Sequence, residues 1–305
     1  TRSTSSGPTT RCLRRSATSL GRLAQPLLIV DGDSIFFRAF FALPKSIKGA
    51  DGRPVNALLG AANLILRVVV EHDPRAVVAC FGQEAAHYRK ELYEPYHAAR
   101  PELDPELAHQ YTLVHDWLKS FGWTVATHPT LEADDLLASY GAAEAAAQGT
   151  AIIMTGDRDM FQCAAERVKV LYVSTGKNMA LMGPAEVEDR YGIPPQLVPD
   201  FIALRGDPSD GIPGAKGIGE KSGAELLRKY GSLEDTMRAA AREELKPAMQ
   251  KALLDDPDLI LAFKHIATVQ IVKVKLPKDT PLDRKRASAA ANELGMGALS
   301  KRLAA

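Results

Sequence analysis

The sequence predicts an α/β protein with a mainly parallel central sheet flanked by helices, and a helical C-terminal lobe. Three observations carry this reading. Short, continuously apolar runs recur up to about residue 173, as buried parallel strands require. Stretches with helical spacing alternate with them. After about residue 183 the apolar runs give way to helical patterns joined by Gly-rich turns.

The elements follow in order. Organised sequence begins at Pro26-Leu27-Leu28-Ile29-Val30, a strand that ends in Asp31-Gly32-Asp33. Residues 55–71 have helical spacing, and Arg75 to Phe81 reads as a second buried strand. Leu107, Tyr111, Val114, Leu118 and Phe121 form the apolar stripe of a helix over 104–121. Trp123-Thr124-Val125 is a short strand and Glu132 to Ala147 an Ala-rich helix. Ala151 to Thr155 and Val168 to Val173 are further strands, and Gly223 to Tyr230 is helix-like. The organisation is therefore a tail (1–26), an α/β core (27–183) and a helical lobe (184–305), with a Gly-rich segment at about 206–230.

Composition excludes more than it selects. The chain has 305 residues, 25% charged and 46% hydrophobic, which excludes collagen, coiled coil and wholesale disorder. Lys plus Arg number 38 against 37 Asp plus Glu, net +1, so no strongly basic balance announces a nucleic-acid partner. Three scattered cysteines, Cys12, Cys80 and Cys163, suit a reducing compartment and offer no structural zinc pattern. No apolar run is long enough to cross a membrane. Residues 1–26 carry five Arg, ten Ser or Thr and no acid. That composition suits a disordered tail and leaves organellar import open. Without the tail the count is 33 basic to 37 acidic, net −4.

The acids gather where open α/β sheets bind ligands, beyond the carboxyl ends of the strands. Asp31 follows the first strand, and Asp157 and Asp159 follow Ala151–Thr155. Glu132, Asp134 and Asp135 open a helix, and Asp207 and Asp210 lie in a loop. Each cluster alone also reads as a turn or as acids at a helix N-terminus. Asp31 alone suits an aspartyl phosphatase as well. Together at one sheet edge they would repel unless cations neutralised them. Oxygen ligands without His or Cys select Mg²⁺ or Mn²⁺, and this many carboxylates suits two ions and displacement at phosphorus.

Gly211 to Ser222 supplies glycines for close backbone approach to phosphate, with Lys216 and Lys221 adding charge. It is neither a Walker A loop nor a dinucleotide fingerprint, so no nucleotide cofactor is expected. It suits a helix–turn–helix clamp on a nucleic-acid backbone, or a plain helix–helix turn.

The ordered set resembles the 5′-nucleases, meaning the flap endonucleases and the 5′→3′ exonuclease domain of bacterial DNA polymerase I. It comprises Asp31-Gly32-Asp33…Arg38, Phe81…Tyr88-Arg89…Tyr96…Arg100-Pro101, Glu132-Ala133-Asp134-Asp135, Thr155-Gly156-Asp157-Arg158-Asp159 and Gly206-Asp207-x-Ser209-Asp210 running through Lys221. The resemblance spans roughly 27–280. No polymerase-like region follows, which reads as a free-standing form.

The resemblance implies a first metal site of Asp31, Glu132 and Asp134, and a second of Asp135, Asp157, Asp159 and Asp210 with Asp207 close by. It implies Arg38, Arg89 and Arg100 as phosphate-steering cations and Tyr96 as a stacking residue. Residues 83–110 would form an arch passing a 5′ single strand. Gly214, Lys216, Gly217, Gly219, Lys221 and Ser222 would grip the duplex, with K⁺ as a candidate companion. Asp33 is expected as a turn or supporting contact.

Two positions depart from the pattern. Gly82 stands where the family has Asp, and His97 where it has a Lys beside the scissile phosphate. Both weaken the first site on this reading and favour Mn²⁺. The implied function is a monomeric 5′→3′ exonuclease and flap endonuclease acting on DNA flaps, overhangs and nicks in replication and repair. The implied place is a bacterial cytoplasm, at the nucleoid. A catalytically weakened DNA-binding protein is the rival reading. Setting the eight assigned acids aside leaves 33 basic against 29 acidic residues.

Overall fold

A six-stranded sheet of order β3-β2-β1-β4-β5-β6 organises the computed structural model, which describes residues 25–98, 102–174 and 178–305. The chain runs β1 (Leu27–Asp31), α1 (Gly32–Ala42), α2 (Asn56–His72), β2 (Ala76–Phe81), α3 (His87–Leu92), α4 (Pro105–Lys119) and β3 (Thr124–Thr127). It continues with α5 (Ala133–Ala146), β4 (Ala151–Thr155), a 3₁₀ turn (Asp159–Cys163), β5 (Val168–Val173) and β6 (Met179–Met182). The helical part is α6 (Pro184–Tyr191), α7 (Val198–Arg205), α8 (Glu220–Tyr230), α9 (Leu233–Ala241), α10 (Pro247–Leu254), α11 (Pro257–Ala267), α12 (Arg284–Glu293) and α13 (Gly297–Ala304).

The first five strands are parallel and β6 pairs antiparallel with β5. The sequence reading did not foresee β6, whose MALM run is short and only half-buried. β1, β2 and β4 are buried along their whole length, which is why they read as apolar runs without alternation. Alternation appears instead in which core each residue joins. Leu27, Ile29, Val78 and Ile153 face α5 and the helical lobe, whereas Leu28, Val30, Val77 and Met154 face α1, α2 and α4.

The last segment departs from the expected division. Residues after α11 run back across the core without regular structure. The amides of Gln270, Val272, Thr280 and Asp283 donate to Asp135 Oδ1, Ser139 Oγ, the Arg75 carbonyl and the Phe121 carbonyl, at 2.8–2.9 Å. Val272, Val274 and Leu276 pack inward along it, while Lys273 and Lys275 face solvent. It delivers α12 and α13 to the far face of the sheet, where Ala287, Ala291, Met296, Leu299 and Leu303 join the core of α2 and α4. These two helices thus belong with the α/β core. Small Ala residues let α12 approach closely, and that apolar stripe finds its partner only in three dimensions.

Candidate active site

The carboxyl edge of the sheet opens into a cleft of about 1830 Å³, walled by the ends of β1, β2 and β4, by the N-terminus of α5 and by the loop after α7. Asp31 ends β1 and caps α1, with Oδ1 accepting from the Ser34 amide at 2.9 Å. Its Oδ2 accepts from Thr155 Oγ1 at 2.6 Å, which ties β1 to β4. The residue is 2% exposed, and burial, followed by the nearby Asp157, pushes its carboxyl up to about 8. Asp134 in the first turn of α5 and Asp159 at the 3₁₀ turn are raised in the same way. Withdrawal from water is the first cause for each, then Asp159 acting on Asp134 and Asp210 acting on Asp159.

Of the residues singled out from sequence, Asp31, Glu132, Asp134, Asp157, Asp159, Asp207 and Asp210 line this one cleft, with Arg38, Tyr96 and His97. Arg38 reaches from α1 across the β4 end, where Nη2 donates to the Gly156 carbonyl at 2.7 Å and lies 4.0 Å from Asp157 Oδ1. A Cβ at Gly156 would collide with that guanidinium, so glycine makes this crossing possible. Among the described residues no three His, Cys, Asp or Glu side chains stand close enough to grip one ion directly.

Two expectations are corrected. Arg89 and Asp135 do not line the cleft. Arg89 is 2% exposed and lies between two acids, with Nη1 2.8 Å from Glu132 Oε2 and Nη2 2.9 Å from Asp135 Oδ1. Its Nε donates to the Ile266 carbonyl at 2.9 Å, which joins α3 to α11. Burial alone would lower the guanidinium's value, but Glu132 and Asp135 outweigh it and hold it raised. Asp135 is fully buried and also accepts from the Gln270 amide at 2.8 Å. Arg89 and Asp135 form the internal joint between α3, α5 and the helical lobe. Arg100, like residues 1–24, lies outside the described residues.

Tyr96 and His97 stack with ring centroids 3.9 Å apart. The Tyr96 hydroxyl donates to Glu132 Oε2 at 3.1 Å, and burial followed by Glu132 raises its value. His97 has a left-handed backbone, φ 57°. Its Nε2 lies 3.0 Å from Asp210 Oδ1 and its amide donates to the Asp210 carbonyl at 3.2 Å, so it ties this wall to the loop after α7. At Gly82 the chain passes so close to α5 that a Cβ would meet the Ala133 amide nitrogen and lie 2.6 Å from Glu132 Cα. The acid expected there has no room.

Three contributing residues escaped the sequence reading: Ser34 and Thr155, which orient Asp31, and Tyr111, which lines the wall and donates to Asp33, the residue expected as a turn or supporting contact. Ser34 had a visible signal, three residues after a helix-capping Asp. Thr155 and Tyr111 had none, because their role depends on which strand and helix become neighbours.

The Gly-rich segment joins α7 to α8. Gly206 and Gly214 have φ of 82° and 69°, and a Cβ at Gly214 would lie 2.8 Å from Gly206 Cα, so the two glycines let the loop cross itself. Ile212, Ala215 and Ile218 are buried while Lys216, Gly217, Gly219 and Lys221 are exposed. Gly217 and Gly219 face open space. The loop thus presents backbone and two cations on its outer side, with Ser222 half-buried behind them.

Comparison with known proteins agrees with this geometry. Residues 26–192 match the family described as 5′-3′ exonuclease, N-terminal resolvase-like domain, and residues 193–290 match 5′-3′ exonuclease, C-terminal SAM fold. The chain is 36% identical over 281 residues to a Mycobacterium tuberculosis protein named 5′-3′ exonuclease, covering 85% of this chain and 86% of that one. It is 35% identical over 276 residues to the thermostable DNA polymerase I of Thermus thermophilus, covering 90% of this chain and 32% of the polymerase. The fold matches the bacteriophage T5 D15 protein co-crystallised with metal ions, with a TM-score of 0.65, 18% identity, and coverage of 92% of this chain and 98% of that one. It also matches the catalytic core of Rad2 in complex with DNA substrate, with a TM-score of 0.59, 15% identity and 92% coverage of each chain. Among the described residues no helix is long and apolar enough to cross a membrane. The chain belongs to the 5′-3′ exonuclease family and is a nuclease, a hydrolase of phosphodiester bonds.

Proposed function

We propose that this nuclease is monomeric, depends on divalent metal, and cuts DNA at 5′ ends, flaps and nicks during bacterial replication and repair. The observation that supports it most is the convergence of seven acids on one cleft whose buried members repel one another. Cations relieve such repulsion. The donors are all oxygen, which suits Mg²⁺ or Mn²⁺. Their spacing suits hydrated ions, because Mg²⁺ keeps most of its waters and takes only one or two carboxylates beside substrate phosphate. Asp31 and Asp134 would hold one ion, Asp157, Asp159 and Asp210 the other, with Asp207 alongside. Bound there, the ions would supply Lewis-acid stabilisation of the scissile phosphate and activation of water.

The protein's own groups do the rest. Arg38 borders the acids with a third of its side chain open, so a phosphate entering the cleft meets a cation already fixed by Gly156. Tyr96, expected from sequence to stack a base, is 4% exposed and packs on the equally buried His97 side chain, so the pair braces the cleft wall through Glu132 and Asp210. The exposed glycines and lysines of the α7–α8 loop hold the duplex by its backbone, which reads shape rather than sequence. K⁺ at this loop completes the proposal. Cleavage of a 5′-flap duplex by the purified chain in a Mg²⁺ and Mn²⁺ titration tests the reading. Asp157→Asn is expected to retain DNA binding and to lose most cleavage. Undiminished cleavage by that variant, or cleavage unaffected by chelator, refutes it.

A further inference from the structure

α12 and α13 pack side by side, with Ser288 Oγ donating to the Ser300 carbonyl at 2.9 Å. Ala287, Ala291, Leu299 and Leu303 turn inward, while Arg284, Lys285, Arg286, Lys301 and Arg302 are exposed. Residues 284–305 hold these five cations against one acid, Glu293. Among the described residues none of the five forms an ion pair, and Arg302 donates to Asn63 Oδ1 of α2. Three of them fill the first turn of α12, which holds no acid. That end of a helix carries partial positive charge and disfavours cations. Local stability therefore does not account for the placement, and a local rule broken in this way points to function. The other two cations lie in the last turn of α13. The two helix ends meet: Arg284, Lys285 and Ser288 border one groove with Leu303, Ala304 and Ala305. The five cations thus share one end of the helix pair.

This basic end packs on the opposite face of the sheet from the α7–α8 loop. Ala287 and Leu303 join the core of α1, α2 and α4, whereas Ile212 and Ile218 join the core of α5 and the lobe. It also reaches the cleft, because Asn63, the partner of Arg302, lines the cleft wall with Leu64 and Arg67. A flap or a nick has duplex on both sides of the break, and a grip on one face holds only one of the two arms. We propose that the basic end of α12 and α13 holds the second duplex arm of the substrate by its phosphates. This rests on the DNA-cleaving reading above. Each cation that meets a phosphate releases a counterion, so such a surface adds affinity and orientation without reading sequence.

The test measures DNA binding by the full chain across a salt series, in the Asp157→Asn background that is expected to bind without cutting. One DNA carries a 5′ flap between two duplex arms, and the other a 5′ overhang on a single arm. Arg284→Gln, Lys285→Gln and Arg286→Gln are combined in one variant. The slope of log affinity against log salt should fall by about one for each cation that meets a phosphate, and on the two-arm DNA only. The melting temperature should not fall, because the helix end disfavours those charges. Lys221→Ala, the reference for the other grip, should lower the slope on both DNAs. An unchanged slope on the two-arm DNA overturns the proposal, leaves the nuclease reading standing, and points to an acidic protein as the partner of this face. An equal fall on both DNAs also overturns it, because the cations then attract DNA without holding an arm. A lowered melting temperature with unchanged slopes assigns them to packing and overturns it too. If Asp157→Asn alone binds neither DNA, the DNA-cleaving reading falls as well. Should the triple variant not fold, Lys301→Gln, a single exposed change on α13, carries the same comparison with a fall of about one.

Discussion

Replacing Arg89 separates a structural joint from a phosphate contact. Arg89→Ala removes the cation between Glu132 and Asp135, two side chains that are themselves 6% and 0% exposed. Breaking a buried pair by removing one partner costs about 3–5 kcal/mol, because the remaining charge is uncompensated. A loss of about 4 kcal/mol is therefore expected at pH 7. Typical domains hold only about 5–15 kcal/mol, so the variant is close to its limit. Urea denaturation of the metal-free protein at pH 7, without DNA, reads the loss. A loss under about 1 kcal/mol at pH 7, accompanied by weaker DNA binding, would mean that Arg89 faces phosphate after all.

Three further outcomes follow from the geometry. Gly82→Ala forces a methyl group against the Glu132–Ala133 backbone and is expected to destabilise by about 1–3 kcal/mol in urea, and Gly82→Asp by more with no gain in Mn²⁺ affinity; a tighter Mn²⁺ complex in Gly82→Asp would show that the strand end is not closed. Asp31 holds its proton up to about 8 against an ordinary 3.8, so the metal-free folded chain binds a proton that the unfolded chain releases. Its stability contribution is complete below about pH 4 and is lost as pH rises toward 8, by up to about 1.4 kcal/mol per unit. Asp31→Asn should flatten that fall in a stability profile, and a parallel profile would place the titration elsewhere. Lys221→Ala, on the exposed side of the α7–α8 loop, should weaken duplex binding and lower the salt slope by about one, and an unchanged slope would remove the loop from the DNA interface.

The sequence by itself determined the parallel sheet, because strands buried on both faces must be apolar throughout and so announce themselves. It also determined which acids meet, because residues at the carboxyl ends of parallel strands share one edge whatever the packing details. Asp31, Asp157 and Asp159, with Asp134 from the first turn of α5, do line one cleft. The tertiary structure decided the direction of each side chain and the closeness of neighbouring backbones. Asp134 and Asp135 are adjacent in sequence, yet a helix turns successive residues about 100° apart, so one faces the cleft and the other Arg89. Arg89 looked like a free cation because a sequence does not show that two buried acids flank it. Gly82 looked like a missing ligand because a sequence does not show that α5 passes within a methyl group's width of it, nor that Asp33 reaches its amide. The return of α12 and α13 to the core was hidden for the same reason: their apolar stripe is visible in the chain, but its partner is chosen only when the residues after α11 cross the sheet.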